Sequence, residues 1–181
     1  CNPDSTKYSF SERPGYLRLK ASEVNIDDTA SPTFVARRQT EYNFSATAEI
    51  DFSNLKNGSQ AGLTAYAAAH YHYDVEVRAR GRKHYIAANI RIDNSDNTVV
   101  EIPVKTRKAF LRITGNRNGY ILQYSLDGKK YVDLAEMGYR PISTATIGGF
   151  TSGKLSPYAQ ATEGYYADLD SYTYEVALKN N

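Results

Sequence analysis

Apolar and polar side chains alternate one by one along most of this chain, and a helix cannot use that pattern. In Thr47-Ala48-Glu49-Ile50-Asp51-Phe52, Tyr73-Asp74-Val75-Glu76-Val77-Arg78 and Tyr120-Ile121-Leu122-Gln123-Tyr124 the period is two. Successive residues of an extended strand point to opposite faces, so period two lays one face on a core and leaves the other to solvent. Turn formers recur between the runs, at Asn57-Gly58, Arg80-Gly81-Arg82, Asn94-Ser95-Asp96-Asn97, Asn116-Arg117-Asn118-Gly119 and Asp127-Gly128. Many short strands broken by tight turns predict an all-β, antiparallel sandwich or barrel.

Strands are expected over 15–20, 33–39, 43–53, 60–69, 71–80, 83–92, 98–104, 108–116, 119–126, 130–134, 144–151 and 164–177. The Ala-rich stretch from Leu63 to Ala69 is the one helix candidate, but glycine precedes it and strand chemistry follows, so a strand is assigned. Thr151 to Thr162, with Gly153, Ser156 and Pro157, is expected to form the longest loop. No linker, repeat or composition break divides the chain. Its 181 residues suffice for one core, and 1–181 is read as a single domain.

Charge excludes some classes of partner. With 22 Lys and Arg against 20 Asp and Glu, the formal net charge is only +2, too little to steer the molecule onto nucleic acid or an anionic membrane. The basic run Arg78-Ala79-Arg80-Gly81-Arg82-Lys83 sits at an expected hairpin tip with no interleaved aromatics on which bases could stack. No apolar stretch approaches the ~20 residues of a membrane span. A single cysteine, Cys1, can form no internal disulfide. Its place at the start of the chain invites a second reading, as the lipidated residue of a mature lipoprotein.

Three constellations bear on chemistry. His70-x-His72 puts two imidazoles on one strand face, about 7 Å apart at ~3.3 Å per residue. If Gly81-Arg82 is a two-residue hairpin loop, His84 faces Ala79 and lies on the order of 23 Å from His72, so no third ligand joins them and no metal site is assigned. Glu49-x-Asp51 and Asp168-x-Asp170 each place two carboxylates on one face, as a glycosidase requires. A solvated strand face is the simpler reading of Glu49 and Asp51, and no residue is assigned a catalytic role. There is no Gly-x-Ser-x-Gly elbow and no Gly-rich phosphate loop. The third constellation is aromatic. The chain has 16 Tyr, 6 Phe and no Trp, and Tyr66, His70, Tyr71, His72 and Tyr73 cluster near Asp74 and Arg78. Sugar rings present apolar C–H faces and a rim of hydroxyls, so tyrosine beside carboxylate, imidazole or guanidinium suits them. These five are the candidate substrate-binding or domain-interface residues, with core packing as the competing role.

Several motifs in fixed order resemble one family. They are Asn2-Pro3-Asp4; Glu12-Arg13-Pro14-Gly15-Tyr16-Leu17-Arg18-Leu19; Ser31-Pro32-Thr33-Phe34-Val35-Ala36-Arg37-Arg38-Gln39; Ala61-Gly62-Leu63 with Tyr66; Tyr124-Ser125-Leu126-Asp127-Gly128-Lys129-Lys130-Tyr131; Ile147-Gly148-Gly149-Phe150-Thr151; and Ala167-Asp168-Leu169-Asp170-Ser171-Tyr172-Thr173-Tyr174. From Asn2 to Glu175 the chain resembles the C-terminal concanavalin A-like β-sandwich of glycoside hydrolase family 43 β-xylosidases and arabinofuranosidases. Tyr131 stands where that family usually has tryptophan. The resemblance implies a two-layer jelly roll whose first strand is missing from the chain, and it places Cys1 inside the domain, against the lipoprotein reading. It also implies an accessory, non-catalytic role beside a catalytic propeller, on xylan, arabinoxylan or xylo-oligosaccharide, in a bacterial extracytoplasmic setting, periplasmic or secreted. A freestanding carbohydrate-binding module is the alternative. No cofactor is expected, although Asp170 on the closing strand is a candidate for holding backbone amides or a calcium ion.

Overall fold

The computed structural model describes residues 4–28, 30, 32–148, 153–161 and 164–176. Among them run fourteen strands. A short opening hairpin pairs β1 (Tyr8–Ser9) with β2 (Leu17–Lys20), and β3 (Thr33–Phe34) and β4 (Arg37–Arg38) follow a loop. The long strands are β5 (Phe44–Asp51), β6 (Gln60–Ala68), β7 (Tyr71–Arg80), β8 (Lys83–Ile92), β9 (Ser95–Val104), β10 (Lys108–Gly115), β11 (Gly119–Ser125) and β12 (Val132–Gly138). A single helical turn, α1 (Thr144–Ile147), precedes β13 (Lys154–Gln160) and β14 (Tyr166–Val176).

The strands form two antiparallel sheets, ordered β1-β2-β14-β5-β10-β11-β12 and β3-β13-β6-β7-β8-β9, with β4 also paired to β13. Alternation explains how they meet. In β5, Phe44, Ala46, Ala48 and Ile50 are buried while Ser45, Thr47, Glu49 and Asp51 face outward. In β7, Tyr73, Val75 and Val77 enter the same core, joined by Leu63 and Ile86 from the strands beside it and by Leu111, Ile113 and Leu122 from the facing sheet. Burial of these side chains, worth about 1.5–3 kcal/mol each, holds the layers together.

The expected strands match closely, including the Ala-rich stretch, which is β6. The Gly81-Arg82 turn gives the expected register, with Lys83 opposite Arg80 and His84 opposite Ala79. Two expectations are corrected. Residues 144–147 form a helical turn, and 149–151 lie outside the described residues. The expected loop from Thr151 to Thr162 contains β13, despite its proline. The partner on one side of β13 is interrupted: Lys154 and Leu155 pair with Arg38 and Arg37, Tyr158 and Ala159 with Phe34 and Thr33. Pro157 falls in the gap, where its missing N–H is not needed, and its carbonyl accepts from the Val35 N–H at 3.1 Å.

The Glu-Arg-Pro-Gly-Tyr segment is a clamp between strands. Arg13 donates to Asp51 and Asp168, both at 2.9 Å, and Arg18 donates to Asp168 through Nε at 2.8 Å and Nη2 at 3.0 Å. The guanidinium of Arg13 lies 3.6 Å above the Tyr16 ring, and that of Arg18 lies 3.7 Å above Tyr166. Burial alone would push the Asp168 carboxyl up, but Arg18 and Arg13 hold it below the usual carboxylate range.

Candidate functional site

On the outer face of the second sheet, cross-strand neighbours form polar rows. Antiparallel register puts Tyr66, His72 and Arg91 in one row, Ser156, Thr64 and Asp74 in the next, then Tyr158, Gly62 and Glu76, and then Gln160, Gln60 and Arg78. This face is built by the same alternation that builds the core, read at the other phase. Several of its charged groups are nonetheless buried, with Asp74 only 2% and Glu76 only 1% exposed. Loop residues Ile26 and Asp27 reach over the rows, tied down where the Ile26 N–H donates to Gln160 Oε1 at 3.2 Å.

Two networks fill the rows. His72 is held at both ring nitrogens, Nδ1 lying 2.9 Å from Asp74 Oδ2 and Nε2 lying 2.7 Å from Asp27 Oδ1. Burial disfavours the charged imidazolium, but Asp74 and Asp27 more than reverse this, raising His72 to about 10. The second network centres on Glu76, whose carboxylate accepts from Arg78 and from the Tyr158 hydroxyl. Full burial pushes the Glu76 carboxyl up, and Arg78 offsets only part of that. Gly62, between Tyr158 and Glu76, makes the contact possible. A Cβ there would come within 2.5 Å of the Val75 carbonyl oxygen and 2.6 Å of Glu76 Cβ. Arg78 Nη2 continues the network to Asn89 at 3.0 Å, and Asn89 donates to Asp96 at 2.6 Å.

Between the networks lies an open pocket of about 320 Å³ whose lining includes His72, Asp74, Glu76, Arg78, Asn89 and Asp96. A second cleft, of about 270 Å³, lies where Tyr42, Tyr120 and Tyr139 meet. Tyr139 stacks on Tyr120 at 6.2 Å and takes Tyr42 edge-on at 5.6 Å. Tyr42 is 49% exposed.

The five candidates named from sequence are divided by the strand. His72 and Tyr66 share the outer face, with their rings stacked at 5.8 Å. Tyr71 packs half-buried against the core, and Tyr73 is fully buried, its hydroxyl donating to the Gly138 carbonyl at 2.9 Å. His70 is exposed in the turn before β7. Sequence reasoning missed Glu76, Asn89, Asp96 and Tyr158. The available signal was the even spacing of His72, Asp74, Glu76 and Arg78, which puts four ionisable side chains on one face.

In each carboxylate pair one acid, Asp51 or Asp168, is bound to Arg13. Glu49 and Asp51 sit on the outer face of the opposite sheet, and Asp51 is bound to Arg13. Burial and the neighbouring Asp170 carboxylate push the Glu49 carboxyl up. Asp170, the residue named for backbone amides or calcium, is exposed on β14 beside Glu49, while two guanidinium groups occupy the oxygens of Asp168. Among the described residues no group of three or more His, Cys, Asp and Glu could hold a metal, and no helix is long and apolar enough to cross a membrane.

Two facing antiparallel sheets with this strand order define a concanavalin A-like β-sandwich. Residues 1–175 match the model of one family, the beta xylosidase C-terminal concanavalin A-like domain, and the chain belongs to that family. It is 31% identical over 160 residues to the non-reducing end alpha-L-arabinofuranosidase BoGH43B of Bacteroides ovatus, covering 87% of this chain and 30% of that protein. It is 27% identical over 197 residues to a beta-xylosidase of Formosa agariphila, covering 96% and 32%. The solved structure of the Bacteroides ovatus xyloglucan PUL GH43B superposes with a TM-score of 0.89 at 26% identity, over 97% of this chain and 36% of that one. The chain thus spans about a third of the length of the curated relatives it matches.

Proposed function

We propose that this chain is the accessory, non-catalytic sandwich of a glycoside hydrolase acting on xylan or arabinoxylan. It packs on a catalytic propeller of the same protein and shapes the mouth of that propeller's substrate pocket. One observation carries the reading: the match spans only a third of relatives named as arabinofuranosidase and beta-xylosidase, while one acid of each pair, Asp51 and Asp168, is bound to Arg13. The flank where β9 and β12 meet gives the propeller a surface to dock on. These are the edge strands of the two sheets, they touch each other, and Val99 and Val132 stand exposed on them. An extracytoplasmic setting, periplasmic or secreted, goes with a polymeric plant substrate.

The test compares the intact protein with the isolated chain on aryl β-xyloside, aryl α-L-arabinofuranoside and xylobiose. The isolated chain is expected to hydrolyse none of them, and removing it is expected to lower the activity of the intact protein. Turnover by the isolated chain that is lost in E49Q or D51N would overturn the reading. A freestanding carbohydrate-binding module is favoured by one observation, the exposed Tyr42 in its tyrosine-lined cleft. Xylan binding by the isolated chain that is lost in Y42A, with no effect of its removal on hydrolysis, would establish that alternative.

A further inference from the structure

We infer that the pocket on the outer face of β6, β7 and β8 binds one uncharged sugar ring of a glycan. The inference deepens the proposed function by assigning the chain a ligand site of its own, and it rests on that reading for the choice of glycan.

The first argument is cost. A sheet face that only meets water has no reason to bury Asp74, Glu76 and His72, since taking charges out of water is unfavourable even when they are paired. Perturbed ionisable groups gathered in a concave site are the mark of a place where something binds or reacts. Nucleophilic or hydrolytic chemistry does not fit, because Asp74 and Asp27 are both committed to His72, and Glu76 to Arg78 and Tyr158.

The second argument is the balance of donors and acceptors. Each cation lining the pocket already has a carboxylate: His72 has Asp74 and Asp27, Arg78 has Glu76, and Arg80 has Glu101. Among the described residues lining the pocket, an anionic ligand finds no cation without a carboxylate beside it. Acceptors, in contrast, are left over. Among the described residues the Asp74 carboxylate, with about four lone-pair positions, takes hydrogen bonds from His72 Nδ1 alone, and the Asp96 carboxylate from Asn89 alone. A site with spare carboxylate acceptors and no spare cation selects a ligand rich in neutral O–H donors.

Size and shape narrow this further. At about 320 Å³ the pocket is at the small end of small-molecule sites, which begin near 300 Å³. That is room for one ring, not for a polymer segment. The Tyr158 ring is buried, with its hydroxyl bound to Glu76, and offers no open face, so the site grips hydroxyls and does not stack a flat ligand. A pentose ring, such as a xylosyl or arabinosyl unit, meets every one of these conditions.

The test is an amide chemical-shift titration of the 181-residue chain with D-xylose, L-arabinose and xylobiose, with glucuronate and calcium chloride as charged controls. Saturable shifts are expected at residues 58–60, 89 and 96–98 with at least one neutral sugar. D96A and Q60A, both at the edge of the pocket, should weaken that binding about tenfold, the loss of a charge-assisted or neutral hydrogen bond to ligand, with an unchanged melting temperature. No saturable shift, shifts confined to another surface, saturation only with glucuronate or calcium, or full affinity in both variants would each overturn the assignment. If the isolated chain binds no sugar while its removal still cripples the intact hydrolase, the pocket assignment falls and the accessory reading stands.

Discussion

At the scale of single residues, the outer rows work through contacts that no motif announces. Tyr158 supplies one of the two partners of the Glu76 carboxylate, and Gly62 keeps the space between them clear. Y158F is therefore expected to destabilise the fold by about 1–2 kcal/mol, because a buried acceptor loses its donor. G62A should cost about 1–3 kcal/mol through the clash with the Val75 carbonyl. Urea midpoints at constant m-value measure both, and equal midpoints for Y158F and the parent would show that the hydroxyl contributes nothing. His72 makes a pH prediction with a definite sign. Its folded value, raised to about 10, exceeds an unfolded value of about 6.5. Its contribution is thus complete below the unfolded value and is lost as pH climbs through the folded one. Between about pH 6.5 and 10 the parent should lose up to about 1.4 kcal/mol of stability per pH unit from this group, and H72Q should lack that slope. Parallel pH–stability curves for the two proteins would mean that Asp74 and Asp27 do not hold a proton on His72.

At the scale of elements, the opening hairpin matters through the ion pairs that fasten it. Asp168 on β14 receives Arg13 and Arg18, which flank the turn between β1 and β2. D168A should cost about 2–3 kcal/mol, since Arg18 would keep only the exposed Glu12 as an acidic partner. D168N, which keeps the shape and one acceptor, should cost less. Equal losses in the two variants, read from urea midpoints, would assign the effect to packing and not to charge. The elements were legible in the sequence wherever alternation was strict. β5, β7, β8 and β11 follow from period two, and the turn after β7 follows from Gly81, whose φ of 59° favours glycine. β13 was not legible because Ser156-Pro157 reads as a loop, and only the broken partner strand, invisible locally, makes proline harmless there. The candidate site was half legible for a related reason. His72 and Tyr66 could be named from their chemistry. Asn89 and Asp96 on neighbouring strands, and Tyr158 from the far end of the chain, reach the site only through register. A one-residue slip would move each to the other face.

For the whole molecule, strand order decides how the sandwich can come apart. β14, from the C-terminal end, lies between β2 and β5 near the middle of the first sheet, and β13 lies between β3 and β6 in the second. No cut in the chain yields two pieces that each keep a complete sheet, and both sheets share one core that runs from Leu19 to Leu169. Such an arrangement denies either sheet an independent existence, because an isolated layer would expose its whole apolar face. The chain is therefore expected to unfold in urea as one cooperative unit, with tyrosine fluorescence and far-UV circular dichroism giving coincident transitions. Truncation after Gly164 removes β14, takes one of the two neighbours from both β2 and β5, and should abolish folding altogether. Two separated transitions in the intact chain, or a folded truncated one, would show that the layers hold themselves together by means other than the shared core.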